Sequence, residues 1–527
     1  MEIRLLFVIS IALINLHTNA QITFQKTFGG TGDDKCYFVK QTNDDGFILG
    51  GQTKILATGA DYDVYLVKTS SDGTLLWTKT YGRTGVDVGE SVSQTNDGGF
   101  IISGYTKTLS SGADYDVYLL KTTSNGSLQW SYSYGGTGDD RGLSVQQTND
   151  GGFIIGGNTN SFGAGGSDMY LVKTDSGGLF QWTKTFGGTN QEFGYSVDKT
   201  NDGGFIIGGQ TSSFGAGGSD MYLVKTDSDG TMQWTKTFGG SASDQGFSFH
   251  QTNDGGFIIG GQTLSFGAGA SDAYLVKTSS DGSLQWAKTF GGTSADPGFS
   301  IQQTIDEGFI ITGQTSSFGA GTTDMYLLKT DSVGSLQWSK AMGGTGADQG
   351  YYVEQTNDGG FIVGGQTKSF GPGNNVVFLL KTDSNGNSGC NETNTNTQAN
   401  SGGVQATGGV QGTGGMANIP PTQTGSGGVA TSLCTTVGIN GNNHTESFIN
   451  IYPNPFSTQT ILYSDNILKN ATLIVYNCFG QAVREIKNVN GQSVTLQRDN
   501  LQSGLYFIRL TQENKIFATE KIIITDN

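Results

Sequence analysis

Six tryptophans set a ruler along this chain. Trp77, Trp130, Trp182, Trp234, Trp286 and Trp338 stand 53, 52, 52, 52 and 52 residues apart, and the sequence between them repeats too. One unit, from Gly203 to Gly240, reads GGFIIGGQTSSFGAGGSDMYLVKTDSDGTMQWTKTFGG. A unit of roughly 50 residues cannot bury its own apolar faces, so chains with this period stack copies of one supersecondary element.

Each unit carries four short runs with strand character. In one copy they are Gly194–Thr200, Phe205–Thr211, Met221–Thr226 and Gln233–Phe238. Asn201-Asp202-Gly203-Gly204 and Asp227-Ser228-Asp229-Gly230 supply the turns, because glycine adopts positive φ without a Cβ clash. Runs such as Phe205-Ile206-Ile207-Gly208-Gly209 do not alternate apolar with polar, so their sheets must be covered on both faces. Four-stranded antiparallel sheets packed face to face around an axis satisfy this, which is a β-propeller. The strands beginning at Phe47, Phe100, Phe153, Phe205, Phe257, Phe309 and Phe361 make seven copies, while the tryptophan strand has six. Phe24-Gln25-Lys26-Thr27-Phe28 aligns with Trp77-Thr78-Lys79-Thr80-Tyr81 and supplies the seventh. The expected fold is therefore all-β. Residues 21–387 form a seven-bladed β-propeller with four antiparallel strands per blade, closed by Ile22–Phe28 joining Tyr351–Thr356, Phe361–Thr367 and Val376–Thr382.

The elements W-x-K-T-[FY]-G-G, T-N-D-G-G-F-I and D-x-Y-L-[VL]-K-T recur from Ile22 to about Asn387. In these the chain resembles the bacterial seven-bladed β-propeller repeat family. The resemblance implies the fold and says almost nothing about activity.

Seven acids repeat ten residues after the tryptophan position: Asp34, Asp87, Asp140, Glu192, Asp244, Asp296 and Asp348. One reading is a carboxylate ring at the channel mouth that holds Ca²⁺ or a cationic ligand. The other is that each acid accepts turn N–H groups in its own blade, and strict repetition favours this, since a single site needs only one or two special copies. Asp44, Asp97, Asp150, Asp202, Asp254, Asp306 and Asp358 are hairpin acids. Lys68, Lys121, Lys173, Lys225, Lys277, Lys329 and Lys381 are expected to pair with acids or cover apolar edges. The loop Ser213–Asp220 has some likeness to a calcium nonapeptide, but that motif works in tandem every nine residues and this one recurs every 52. Function is expected where copies disagree: Cys36, Arg83, Arg141, His250, Glu307 and the loop Gly371-Pro372-Gly373-Asn374-Asn375.

Catalytic signatures are thin. Beyond the leader only His250 and His444 remain, and there is no HExxH, GxSxG, CxxC pair or P-loop. The net charge of −16 argues against nucleic acid and anionic lipid as partners. Blades this alike favour a non-enzymatic module binding an extracellular protein or glycan. The alternatives are an extracellular glycan lyase or hydrolase at the channel mouth, and a structural adhesin or spacer.

The chain ends speak of export. Arg4, the apolar run Leu5–Leu16 and a small residue before Gln21 predict a signal peptide over 1–20, cleaved between Ala20 and Gln21. No later segment is apolar enough to cross a membrane as a helix, and a monomer is expected. Residues 388–446, rich in Gly, Thr, Asn and Ser, are expected to be a flexible linker, tethered by a Cys390–Cys434 disulfide. Residues 447–527 regain strand character as a small β-sandwich. Tyr452-Pro453-Asn454-Pro455, Gly504, Tyr506 and Lys521 are similar to the type A sorting domain of the Bacteroidetes type IX secretion system. That resemblance implies Sec export, recognition by the type IX machinery, and either surface attachment or release.

Overall fold

The structure, a computed structural model, describes residues 21–526 except 31, 55–60, 83–84, 108–113, 372–374, 402–403, 407–409, 413–415, 419–422, 426–428, 438–448, 478–480 and 513–514. Side chains are not described within 401–450, 465–466 and 513–520. The leader and its cleavage site at Ala20 therefore lie largely outside the described residues. The chain divides into two compact units, Met1–Gly438 and Ile439–Asn527.

All described regular structure is β. In the first unit the repeat is a four-stranded antiparallel meander, for example Glu192–Lys199, Phe205–Thr211, Asp220–Thr226 and Met232–Gly239. Ile207 pairs with Val224, and Val224 pairs with Thr235. The two inner strands are buried at every residue, while the outer two are partly exposed. This is why FIIGG and YLVK show no alternation: both faces of the middle strands pack against neighbouring sheets. The architecture is propeller-like, and such four-stranded groups recur through the described residues.

Successive sheets meet through one repeated contact. Each tryptophan lies over a turn glycine of the next repeat, so that a Cβ on Gly126 would come 3.1 Å from Trp77, and one on Gly386 2.6 Å from Trp338. Gly73 has φ +75°, and a Cβ there would come 2.7 Å from the Phe24 ring. Each tryptophan also meets the first phenylalanine of the following repeat, as Trp77 meets Phe100 at 6.1 Å; Phe24 meets Phe47 at the same distance. The strand Ile22–Gly29 pairs antiparallel with Val376–Thr382, Phe24 opposite Lys381 and Phe28 opposite Val377. Phe24, Phe28 and Leu379 share one core cluster with Val39, Leu49 and Val67.

Within 388–446, read from the sequence as a flexible linker, the described residues include short paired strands. Short strands start at Glu392, Gln398, Val404, Val410, Met416, Gln423 and Val429, six or seven residues apart. Each pairs antiparallel with the outer strand of a different sheet. They run in reverse chain order from Leu336–Met342 through Leu284–Gly291, Met232–Gly239, Phe180–Gly187, Leu128–Gly135 and Leu75–Gly82 to Ile22–Gly29. Composition could not reveal this, because an edge strand offers unpaired N–H and C=O groups that a polar, glycine-rich chain can satisfy through its backbone alone. Cys390 is disulfide-bonded and Cys36 is free and buried. The side chain of Cys434 lies outside the described residues.

The second unit holds Ile449–Tyr452, Gln459–Asn477, Ala482–Gln497, Gly504–Gln512 and Lys515–Ile524 in one hydrogen-bonded sheet. The two separate layers of a sandwich are replaced by long strands that shift register at Tyr463/Leu468, Leu468/Ala471 and Ala471/Leu473. Such irregularities bend strands and let one sheet curl over its own core. Phe456 bridges to Ile524, and Leu473, Val475, Leu496, Ile508 and Ile522 fill the interior.

Candidate binding site in the cavity between first strands

The repeated acids are built into the frame. Asp34, Asp87, Asp140, Glu192, Asp244, Asp296 and Asp348 are each at most 2% exposed. Asp296 accepts from Thr315 Oγ1 at 2.5 Å, Ser317 Oγ at 2.6 Å and the Gly292 N–H at 2.7 Å. Glu192 accepts likewise from Thr211 at 2.7 Å and Gly188 N–H at 2.7 Å. Among the described residues no three potential metal ligands converge. The carboxylates accept from the loop that enters each sheet. A second acid approaches six of them, Val376 taking its place beside Asp34: a Cβ on Gly82 would come 1.9 Å from Asp63 Oδ1 and 2.9 Å from Asp87 Oδ2. Burial first, then the neighbouring acid, raises Asp63 to about 6, and burial with Glu192 nearby does the same for Asp168.

The hairpin acids take the buried lysines. Lys225 Nζ lies 2.9 Å from Asp202 Oδ2 and donates to Thr226 O at 2.8 Å, and the same pair recurs from Lys68–Asp44 to Lys381–Asp358.

One cavity of about 840 Å³ is bordered by the first strand of every sheet in the first unit. At the position three residues after each repeated acid stand Tyr37, Glu90, Leu143, Tyr195, Phe247, Phe299 and Tyr351. All seven line the cavity. Five are aromatic and touch in series: Tyr195–Phe247 at 5.3 Å, Phe247–Phe299 at 5.8 Å, Phe299–Tyr351 at 5.8 Å and Tyr351–Tyr37 at 5.7 Å. The collar is interrupted only at Glu90 and Leu143. Sequence reasoning missed this position because aromatic residues read as ordinary core. The signal was available in the glutamate that replaces an aromatic in one copy.

Glu90 is half-buried. Its carboxyl is pushed up to about 7 by burial, with Arg141 and Lys35 pulling weakly the other way. Tyr37, Tyr105 and Tyr351 feel its charge. Arg141, singled out from the sequence, sits with its guanidinium 4.8 Å from the Tyr105 ring and 4.9 Å from Tyr115, and 3.7 Å from Asp139. His250 also lines the cavity, with Nδ1 3.3 Å from Asp198. Lys40 pairs with Glu354 at 3.7 Å.

The other divergent positions have different roles. Cys36 is buried in the core, its thiol raised to about 12 by desolvation. Glu307 carries φ 65° in a turn where most copies have glycine. Asn375 donates to Asp33 at 2.6 Å, while Arg83 and Pro372–Asn374 lie outside the described residues.

In the C-terminal unit Asn454 ties the motif to the last strand: its amide donates to Lys521 O at 2.9 Å and accepts from Ile523 N–H at 2.8 Å. Tyr506 is buried and donates to Gln502 O at 2.9 Å, whereas Tyr452 is 77% exposed.

Fold and sites define an all-β, propeller-like repeat protein with a separate C-terminal unit. Residues 450–525 match the family of secretion system C-terminal sorting domains. This domain directs export by the type IX system to the cell surface or beyond, and implies an interaction with that machinery. Regulatory protein FlaEY of Caulobacter vibrioides is 29% identical over 23% of this chain, which spans only 14% of that relative. PorZ, an essential surface component of the type IX system of Porphyromonas gingivalis, is similar at 10% identity over 94% of this chain and 60% of its own, with TM-score 0.36. A fungal AA5 alcohol oxidase in complex with copper gives 10% identity over 82% and 96%, with TM-score 0.31. These likenesses are too low to bear on function.

Proposed function

We propose that the first unit is a closed, seven-bladed member of the bacterial β-propeller repeat family, displayed outside the cell as a non-enzymatic glycan-binding module. Closure is supported by the pairing of Ile22–Gly29 with Val376–Thr382 and by Phe24 taking the tryptophan role over Gly73. Cys434 is assigned as the partner of Cys390, because its backbone lies opposite Gln25, whose amide donates to Cys390 O at 2.6 Å. That bridge would fasten the end of the encircling segment.

The observation that carries the binding reading is the aromatic collar. Ring faces stack on the C–H faces of pyranoses, and flanking hydroxyl and amide groups select orientation. Ser93, Asn158 and Gln146 supply such groups in the same cavity. A glycan array probed with the mature chain tests it: Phe247→Ala with Tyr195→Ala should abolish the signal, and an unchanged pattern would reject the collar as the site. The exposed Tyr452 edge is proposed to meet the secretion machinery; removing 447–527 should leave the protein in the periplasm, and normal display would refute that.

A further inference from the structure

Among the charged groups of the collar cavity, Glu90 is the one with no contact ion pair among the described residues, Arg141 and Lys35 acting on it only from a distance. Arg141 is held by two tyrosine rings and Asp139, Lys40 by Glu354, and His250 by Asp198. Glu90 has no hydrogen bond or ion pair among the described residues, although it stands half-buried where five other copies place an aromatic ring. A carboxylate is expensive to desolvate unless something charged or hydrogen-bonding returns to it. Tyr37, Tyr105 and Tyr351 line the same cavity as Glu90 and feel its charge. Aromatic faces beside a carboxylate form the arrangement that attracts a desolvated cation.

We infer that Glu90 and its tyrosines recognise a primary ammonium group, so that the glycan bound in the collar carries a free 2-amino sugar. This rests on the glycan reading above. A lysyl side chain would satisfy the carboxylate but not the cavity. Its slim methylene stem leaves most of about 840 Å³ to water and offers nothing to Ser93, Gln146 and Asn158, whereas a hexosamine presents hydroxyls to them and a face to the collar. The protein's net charge of −16 draws cationic ligands towards the site.

Isothermal titration of the mature chain with a β-1,4-glucosamine tetramer, its fully N-acetylated counterpart and a tetralysine peptide tests the assignment. The amino form should bind about tenfold or more tightly than the acetylated form, the scale of one charge-assisted hydrogen bond. Glu90→Gln should erase that difference by weakening the amino form towards the acetylated one. Glu90→Leu, which copies the residue already accommodated at Leu143, should behave in the same way and guards against a folding defect. Equal binding of both tetramers with Glu90→Gln silent would overturn the ammonium assignment and leave the glycan reading standing. Glu90-dependent binding of tetralysine alone would overturn the sugar assignment together with the glycan reading, and so would binding of none of the three.

Discussion

Truncating Phe24 tests the proposed closure through energetics. Its ring is fully buried, lies edge-on to Phe47 at 6.1 Å and covers the turn at Gly73. Phe24→Ala removes the transfer free energy of the ring and leaves a cavity between the last sheet and the first, which sums to about 3–5 kcal/mol for Phe→Ala in a packed core. Trp338→Ala is the internal reference, since Trp338 makes the same contact with Gly386 inside the array. Urea unfolding of the mature chain, followed by circular dichroism, should place both variants within roughly 1–2 kcal/mol of each other, allowing for the different rings. A residue on an unpaired leading strand would change stability by only about 0.5 kcal/mol on truncation. A Phe24→Ala cost below about 1 kcal/mol would refute the reasoning.

Stability should pass through a maximum in mild acid. Asp63 and Asp168, raised to about 6, add stability that is full below about 4 and lost as pH rises through 6. Partial burial opposes it, but Thr hydroxyls and Lys ammonium groups hold Asp97, Asp150 and Asp202 down to about 2, so their contribution is lost as pH falls towards 2. Thermal melts should therefore peak between about pH 4 and 6, and a Tm that climbs steadily to pH 8 would contradict this. Lys225→Met keeps the buried stem and deletes the donors to Asp202, Thr226 O and Gln233. With Asp202 more than half exposed and screened, the expected loss in urea titration is about 1–2 kcal/mol, and no loss would mean the pair is ornamental. Ending the chain after Asn387 uncovers the outer strand edges. Light scattering should then report concentration-dependent association, and a monodisperse product would show that the edge-pairing segment is dispensable.

Much of the frame was legible because repetition multiplies weak signals. A single GGFIIGG could be a strand or a buried helix turn, but seven related runs, most beside Asp-Gly turns, allow only strands. That the strand Ile22–Gly29 lies beside Val376–Thr382 was readable by counting, since one strand type was a copy short, but the register was not. The segment from Glu392 to Val437 was not readable, since its pairing uses backbone groups that every sequence possesses. In the C-terminal unit the strands were legible and their curling was not, because bulges such as Leu468/Ala471 leave no composition mark. The site was hidden by the same repetition that disclosed the frame. The repeated acids are buried at the start of the first strands, where they accept from the entering loop, while Glu90 stands out only by differing from its aromatic counterparts.

The proposed closure is tested most directly by a cross-link between the ends of the repeat array. Lys26 and Leu379 are direct partners across the antiparallel pair. In a Cys36→Ala background, Lys26→Cys combined with Leu379→Cys should oxidise readily in the folded protein, giving a joined peptide by mass spectrometry that is absent when oxidation is carried out in urea. A folded, monodisperse protein whose two new thiols stay reduced would contradict the account.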